Sequence, residues 1–125
     1  MEINNPQVHA ELLKQFDRYQ QAIIDNDVAV LNELFWHNAL TIRYGVGENL
    51  YGHAAIARYR STRDPQGLTR VVGTSVVTSY GHEAATTNIE FTRAGRKGRQ
   101  SQTWIRMPEG WLIVAAHASL MHEAS

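Results

Sequence analysis

The strongest constraint on this chain is a switch of hydrophobic period. Up to residue 35 apolar residues recur three and four apart; from about residue 68 they fall in strand-like stretches of about ten residues or more. Val8, Leu12, Phe16, Tyr19 and Ile23 form one stripe, widened by Leu13 and Ile24. That spacing predicts an amphipathic helix from Pro6 to Asp25, with Pro6 at its start. Asp25-Asn26-Asp27 supplies both a stop and a new N-cap. A shorter helix then buries Val30, Leu31, Leu34 and Phe35. Between the two regimes, Leu40, Ile42 and Tyr44 alternate with Thr41 and Arg43, which reads as a short strand. Gly45, Gly47 and Asn49 mark a turn into a return segment at Leu50-Tyr51. A third helical stretch opens at Gly52, with Ile56 and Tyr59 as its apolar side, and Asp64-Pro65-Gln66-Gly67 ends it.

The second half reads as strands: Leu68 to Tyr80, Ala84 to Arg93, Arg99 to Met107 and Trp111 to Met121. Gly81-His82 forms a turn, Ala94-Gly95-Arg96-Lys97-Gly98 a basic loop, and Glu109-Gly110 the last hairpin loop. Strands longer than the usual five or six residues twist and coil, so the sheet curves. Gly73 and Ser75 mark a candidate bulge. Helices preceding such a sheet cover its concave face, which gives an α+β fold over residues 1–125 as one domain. A helix layer and a curved sheet diverge at one end and leave a cone-shaped cavity, a usual seat for small ligands.

Composition removes several function classes. Lys plus Arg and Asp plus Glu number 12 each, so no charge footprint for nucleic acid or an anionic membrane exists. There is no cysteine, hence no disulfide, thiolate metal site or cysteine nucleophile. No apolar run approaches the ~18 residues of a membrane span, and Met1 to Gln15 lacks the pattern of a signal peptide. A cytoplasmic protein is expected. His9, His37, His53, His82, His117 and His122 show no ligand-pair spacing, so no metal site is expected. No P-loop, dinucleotide fingerprint or serine elbow is present, and no cofactor is expected.

The inward polar residues are then the candidates for function. Tyr19 lies on the apolar stripe of the first helix, either as a core aromatic or as a wall of the cone. Arg43 alternates with apolar neighbours, either as an edge charge or pointing inward. His117 and Ser119 sit in the apolar run of the last strand; His117 also suits a satisfied buried histidine. A two-residue loop at Glu109-Gly110 sets Pro108 against Trp111, Gln102 against His117 and Trp104 against Ala115. Alternation leaves open which face of this strand is concave, because Leu112, Val114 and Leu120 are apolar too. Arg93, Arg96, Lys97 and Arg99 read as a solvated hairpin tip, and Arg58, Arg60 and Arg63 as a wet helix face from which one side chain reaches the cone mouth.

The element order and the hairpin from Gly110-Trp111 to Ala116-His117-Ala118-Ser119 resemble the nuclear-transport-factor-2-like superfamily of cone-shaped α+β barrels, which includes SnoaL-like proteins. Phe35-Trp36, Thr41-Ile42-Arg43-Tyr44-Gly45, Glu48-Asn49-Leu50-Tyr51-Gly52 and Arg99-Gln100-Ser101-Gln102-Thr103-Trp104 are similar to the AtzH family. The resemblance implies an amidohydrolase acting on linear amides in nitrogenous-compound and cyanuric acid catabolism. It would decarboxylate 1,3-dicarboxyurea to allophanate beside an amidase-signature enzyme. It implies Tyr19 and Arg43 as the catalytic pair, with Arg43 holding a carboxylate and Tyr19 as general acid or base. Gln102, Trp104, His117 and Ser119 are the expected substrate-binding residues. A homodimer or higher homo-oligomer is the expected assembly, and the resemblance implies pairing through the sheet's outer face, apolar at Ile105, Leu112 and Val114. The alternatives are a non-catalytic acid-binding accessory or dimerisation module of an amidase, and an isomerase or cyclase needing an inward base. For the last, Glu48 and Glu90 are the only candidates, neither well placed by sequence.

Overall fold

The computed structural model describes residues 1–65 and 69–122. Gln66 and Gly67 of the expected helix stop, and Leu68 at the expected strand start, lie outside the described residues.

Helix α1 spans Pro6–Asp25 and α2 Val28–Leu34. Asn5 caps α1 by accepting from the Gln7 and Val8 amides, while Asn26 ends it in the left-handed conformation. Asp27 caps α2 through the Val30 amide. Two short strands follow, β1 (Ile42–Tyr44) and β2 (Asn49–Tyr51), then α3 (His53–Thr62). The long strands are β3 (Val71–Tyr80), β4 (Ala84–Arg93), β5 (Arg96–Met107) and β6 (Gly110–Leu120).

The six strands form one curved sheet in the order β2-β1-β6-β5-β4-β3, antiparallel except where β1 runs parallel to β6. The helices lie against its concave face. Val8, Leu12, Phe16, Tyr19 and Ile23 of α1 are buried there with Ala85, Ile89 and Phe91 of β4 and Trp104 of β5. The fold class read from the period switch is the one observed. The β3 register shifts between Val72 and Ser75, at the expected bulge.

Two hairpins differ from expectation. The expected basic loop at residues 94–98 shrinks to a two-residue turn, with Ala94 at φ 50° and Gly95 at φ 79°. Positive φ at both positions is a type I′ turn, whose twist suits a tight hairpin. Arg93 and Arg96 therefore pair across the strands, so the basic residues belong to the sheet. In the last hairpin Met107 pairs with Gly110, so the loop is Pro108-Glu109, one residue earlier than read. A register shift follows between Thr103 and Trp104: Trp104 faces Ile113, whereas Gln102 faces Ala116 and Ser101 faces His117. One slipped residue and one extra residue on β6 change every partner.

The expected apolar outer patch is not an open one: Leu112 is buried, and Ile105 and Val114 are half-buried. The exposed valines of the sheet's long strands are instead Val71, Val72 and Val76 of β3. Among the described residues no helix is long and apolar enough to cross a membrane.

Candidate functional site

Where α1, α3 and the β1 end of the sheet diverge, they enclose a cavity of about 300 Å³. Tyr19 and Ile23 reach it from α1, Tyr59 from α3, and Arg43 from β1. Phe91, Gln100, Ala116 and Ala118 form its floor on the sheet. Its charge is one-sided. Among the described residues Arg43, Arg63, Arg70 and Arg93 line it against two carboxylates, Glu48 and Asp64.

Tyr19 is 3% exposed, and its position is over-determined. The Gln100 amide nitrogen donates to the Tyr19 hydroxyl oxygen at 2.7 Å. Arg70 donates through Nη1 to Gln100 Oε1 at 2.8 Å and through Nη2 to Gln20 Oε1 at 2.6 Å. A guanidinium has only donors, so the Gln100 oxygen must face Arg70 and its nitrogen must face Tyr19. The Tyr19 oxygen thus accepts, which leaves its proton to be given to a group in the cavity. Arg70 stacks over Phe91, 5.0 Å from the ring centroid. Burial pushes Arg70 below the usual arginine range, opposed first by the Tyr19 oxygen nearby.

Arg43 faces inward because its β6 partner, Ala116, belongs to the buried face. Its Nη1 donates to Glu48 Oε1 at 2.9 Å, and its guanidinium lies over the Tyr59 ring at 5.6 Å. The remaining nitrogens of its fork make no hydrogen bond among the described residues and are available to a second carboxylate. A side chain at Gly45 would overlap the Glu48 carboxylate, so glycine there leaves room for the pair. Glu48 is in the cavity, contrary to its expected placement, but Arg43 holds it; Glu90 is exposed on the other face.

The expected substrate-binding residues separate. His117 stands at the cavity rim, exposed rather than buried, its ring edge-on to Tyr44 at 5.6 Å. Ser119 is half-buried and does not line the cavity. Gln102 and Trp104 point to the concave side but lie deeper, 2% and 0% exposed, outside the cavity. There Thr87 Oγ1 donates to Gln102 Oε1 at 2.9 Å, and Trp104 Nε1 donates to both oxygens at 3.1 and 3.2 Å. Their parity on β5 is that of Gln100, but depth along the cone is set by where the helices close over the sheet.

Sequence reasoning misses Gln100, Arg70 and Arg93, the last read as part of a solvated tip. Of the wet arginine face expected on α3, Arg63 is the side chain that reaches the cone mouth. Arg60, assigned to the same wet face, is 1% exposed. His37 and His53 were also missed as a pair. Their rings stack at 3.7 Å, and both Nε2 atoms meet the Asn32 carbonyl, at 3.1 and 2.7 Å. Among the described residues no group of three or more His, Cys, Asp or Glu side chains is placed to hold a metal ion.

Comparison with known proteins places this geometry. The sequence matches the AtzH-like family over residues 1–124. A protein of unknown function from Pectobacterium atrosepticum, of the DUF3225 family, is 52% identical. The alignment covers 96% of this chain and 95% of that one, with a TM-score of 0.93. A cystatin-like fold protein from Burkholderia xenovorans is 41% identical over 99% of both chains, again with a TM-score of 0.93. A nuclear-transport-factor-2-like protein from Salmonella enterica is 23% identical, covering 95% and 94% of the two chains, with a TM-score of 0.76, and shares the fold. No curated protein is similar to the chain.

Proposed function

The chain belongs to the AtzH-like family, and on that footing we propose that it is a small decarboxylating amidohydrolase acting on a planar dicarboxylated urea such as 1,3-dicarboxyurea. The observation that carries the reading is the hydrogen-bond direction at Tyr19. Its oxygen accepts from Gln100, so its proton is the one offered to the arginine-lined cavity.

The chemistry needs little more. The bond between a terminal carboxylate carbon and its nitrogen breaks, and the electron pair stays on nitrogen. Nitrogen takes one proton, and the carbon leaves as carbon dioxide. Dianion plus proton thus gives the allophanate anion plus carbon dioxide. Tyr19 supplies that proton as general acid and recovers one from solvent through the open end. The four guanidiniums outnumber the two carboxylates of the lining, which suits a dianion. Arg43 grips the carboxylate that is retained, with the donors Glu48 leaves free. Gripping the departing carboxylate would stabilise a charge that the transition state is losing. No protein nucleophile is required, in keeping with a chain that has no cysteine.

The test supplies ¹³C-labelled 1,3-dicarboxyurea and follows allophanate and labelled carbon dioxide against the enzyme-free rate. Release well above that rate is expected. Arg43→Lys should weaken substrate binding by about 10-fold or more, since an ammonium does not reproduce the fork. Binding without turnover would favour the other reading, a small-acid-binding accessory module for an amidase-signature enzyme.

A further inference from the structure

Arg60 is the most anomalous group in the molecule. It is 1% exposed, and Nε, Nη1 and Nη2 are all buried without a hydrogen-bond partner among the described residues. Among the described residues no carboxylate forms an ion pair with it, and its guanidinium packs on the Phe35 ring, 4.2 Å from the centroid. Buried cations are ordinarily paired, because desolvation costs more than packing returns. After burial the strongest influence on Arg60 is the nearby Tyr19 oxygen, which favours the cation, while Arg43 and Arg63 are both near enough to repel it. Burial lowers its pKa to about 9, which still leaves it charged at neutral pH.

The position explains what such a charge is for. Phe35 neighbours both Arg60 and Tyr19: the guanidinium lies 4.2 Å from its ring centroid and the Tyr19 ring 6.4 Å from it. Tyr59, one residue before Arg60, and Arg63, three residues after it, both line the cavity. Arg60 itself does not line it. It therefore acts through a low-dielectric wall, where a fixed charge is little screened by solvent.

We propose that Arg60 is a specificity-determining residue: a buried guanidinium whose uncompensated charge, packed on Phe35, selects doubly charged acids over singly charged ones in the cavity. This rests on the anion-binding half of the proposed function and is independent of turnover. The cost of burying Arg60 falls on the fold; the return appears only when an anion enters.

The sign of two equilibrium measurements tests this. Arg60→Met keeps a long apolar stem and removes the charge. Titration of the protein with glutarate, which spaces its carboxylates by three atoms as 1,3-dicarboxyurea does, should show affinity falling about 10-fold in Arg60→Met. Butyrate, with one charge, should lose less. The unliganded variant should melt higher than wild type, since a buried unpaired charge has gone, and Arg60→Lys should keep most of the glutarate preference. If Met is not tolerated, Arg60→Gln is read by the same titration. Unchanged glutarate affinity in the charge-removing variant, or equal losses for glutarate and butyrate, overturns the inference, as does a wild type that binds no glutarate. Intact glutarate selectivity in a protein that turns over no 1,3-dicarboxyurea would defeat the proposed function and leave Arg60's role standing.

Discussion

The concave face of the sheet holds two polar clusters, and β5 contributes to both. At the closed end Gln102 and Trp104 join Thr87 in a neutral, dry group. At the open end Gln100 joins Tyr19, Arg70 and Gln20 in a group that borders the cavity and carries charge. Two residues along one strand separate a closed cluster from one that borders the cavity. Pointing inward is therefore not enough to mark a site. What differs is charge and access: the closed cluster spends nearly all its polar atoms on itself, leaving one amide nitrogen of Gln102 unpartnered. The open cluster turns the Tyr19 proton toward the cavity, which Arg43, Arg63 and Arg93 also line.

Substitutions in the two clusters should fail in different ways. The largest effect belongs to Tyr19→Phe, which removes the proton donor and should cut turnover by roughly 10²–10⁴-fold. Its melting temperature should shift little, because one hydrogen bond is worth about 1 kcal/mol net. Trp104→Ala should do the reverse, costing about 3–5 kcal/mol in denaturant unfolding while the folded fraction keeps its anion affinity. If Trp104→Ala instead lost binding at unchanged stability, the division between the two ends would be wrong.

Gln100→Glu sharpens the comparison further. A carboxylate accepts where the amide nitrogen donates, so the Tyr19 proton would be tied to residue 100. Turnover should fall by about 10- to 100-fold, with the ion pair to Arg70 retained and the fold intact. Unchanged turnover would show that the direction of this hydrogen bond does not matter.

The smallest effect concerns the support of α3, which carries Tyr59 and Arg60. Burial, the largest influence, lowers the His53 pKa, partly opposed by its bond to the Asn32 carbonyl. The unfolded chain then binds the proton first as pH falls. This contribution to stability is complete above the unfolded value of about 6.5 and is lost as pH drops below it toward the folded value. Thermal melts between pH 7.5 and 5 should show a decline that His53→Gln diminishes.

Much of this was legible in the sequence, and the limits have physical causes. Helix α1 begins and ends where its stripe and caps predict, because Asn5 and Asn26 act locally. The bulge near Gly73 was legible for the same reason. Tyr19 and Arg43 entered as functional residues through family resemblance, and the structure brings both to one cavity. Gln102 and Trp104 are expected at the site from the hairpin register and the Arg99–Trp104 motif, neither of which says how deep along the cone they lie. The β6 register is misread because the loop sits one residue earlier, at Pro108-Glu109, and because an extra residue near Val114 leaves no mark in a run of Ile, Val and Ala. Arg60 is misread because arginine on a weakly amphipathic helix ordinarily stays wet, whereas here its guanidinium packs over Phe35 at the end of another helix. The His37–His53 stack unites residues far apart in sequence, beyond any spacing rule.

The most direct measurement is a crystal structure with glutarate bound. One carboxylate should lie within hydrogen-bond distance of Arg43, with the chain of the ligand passing the Tyr19 hydroxyl. Glutarate seated elsewhere on the molecule, with the cavity between Tyr19 and Arg43 holding none, would contradict the assignment of the open end as the site.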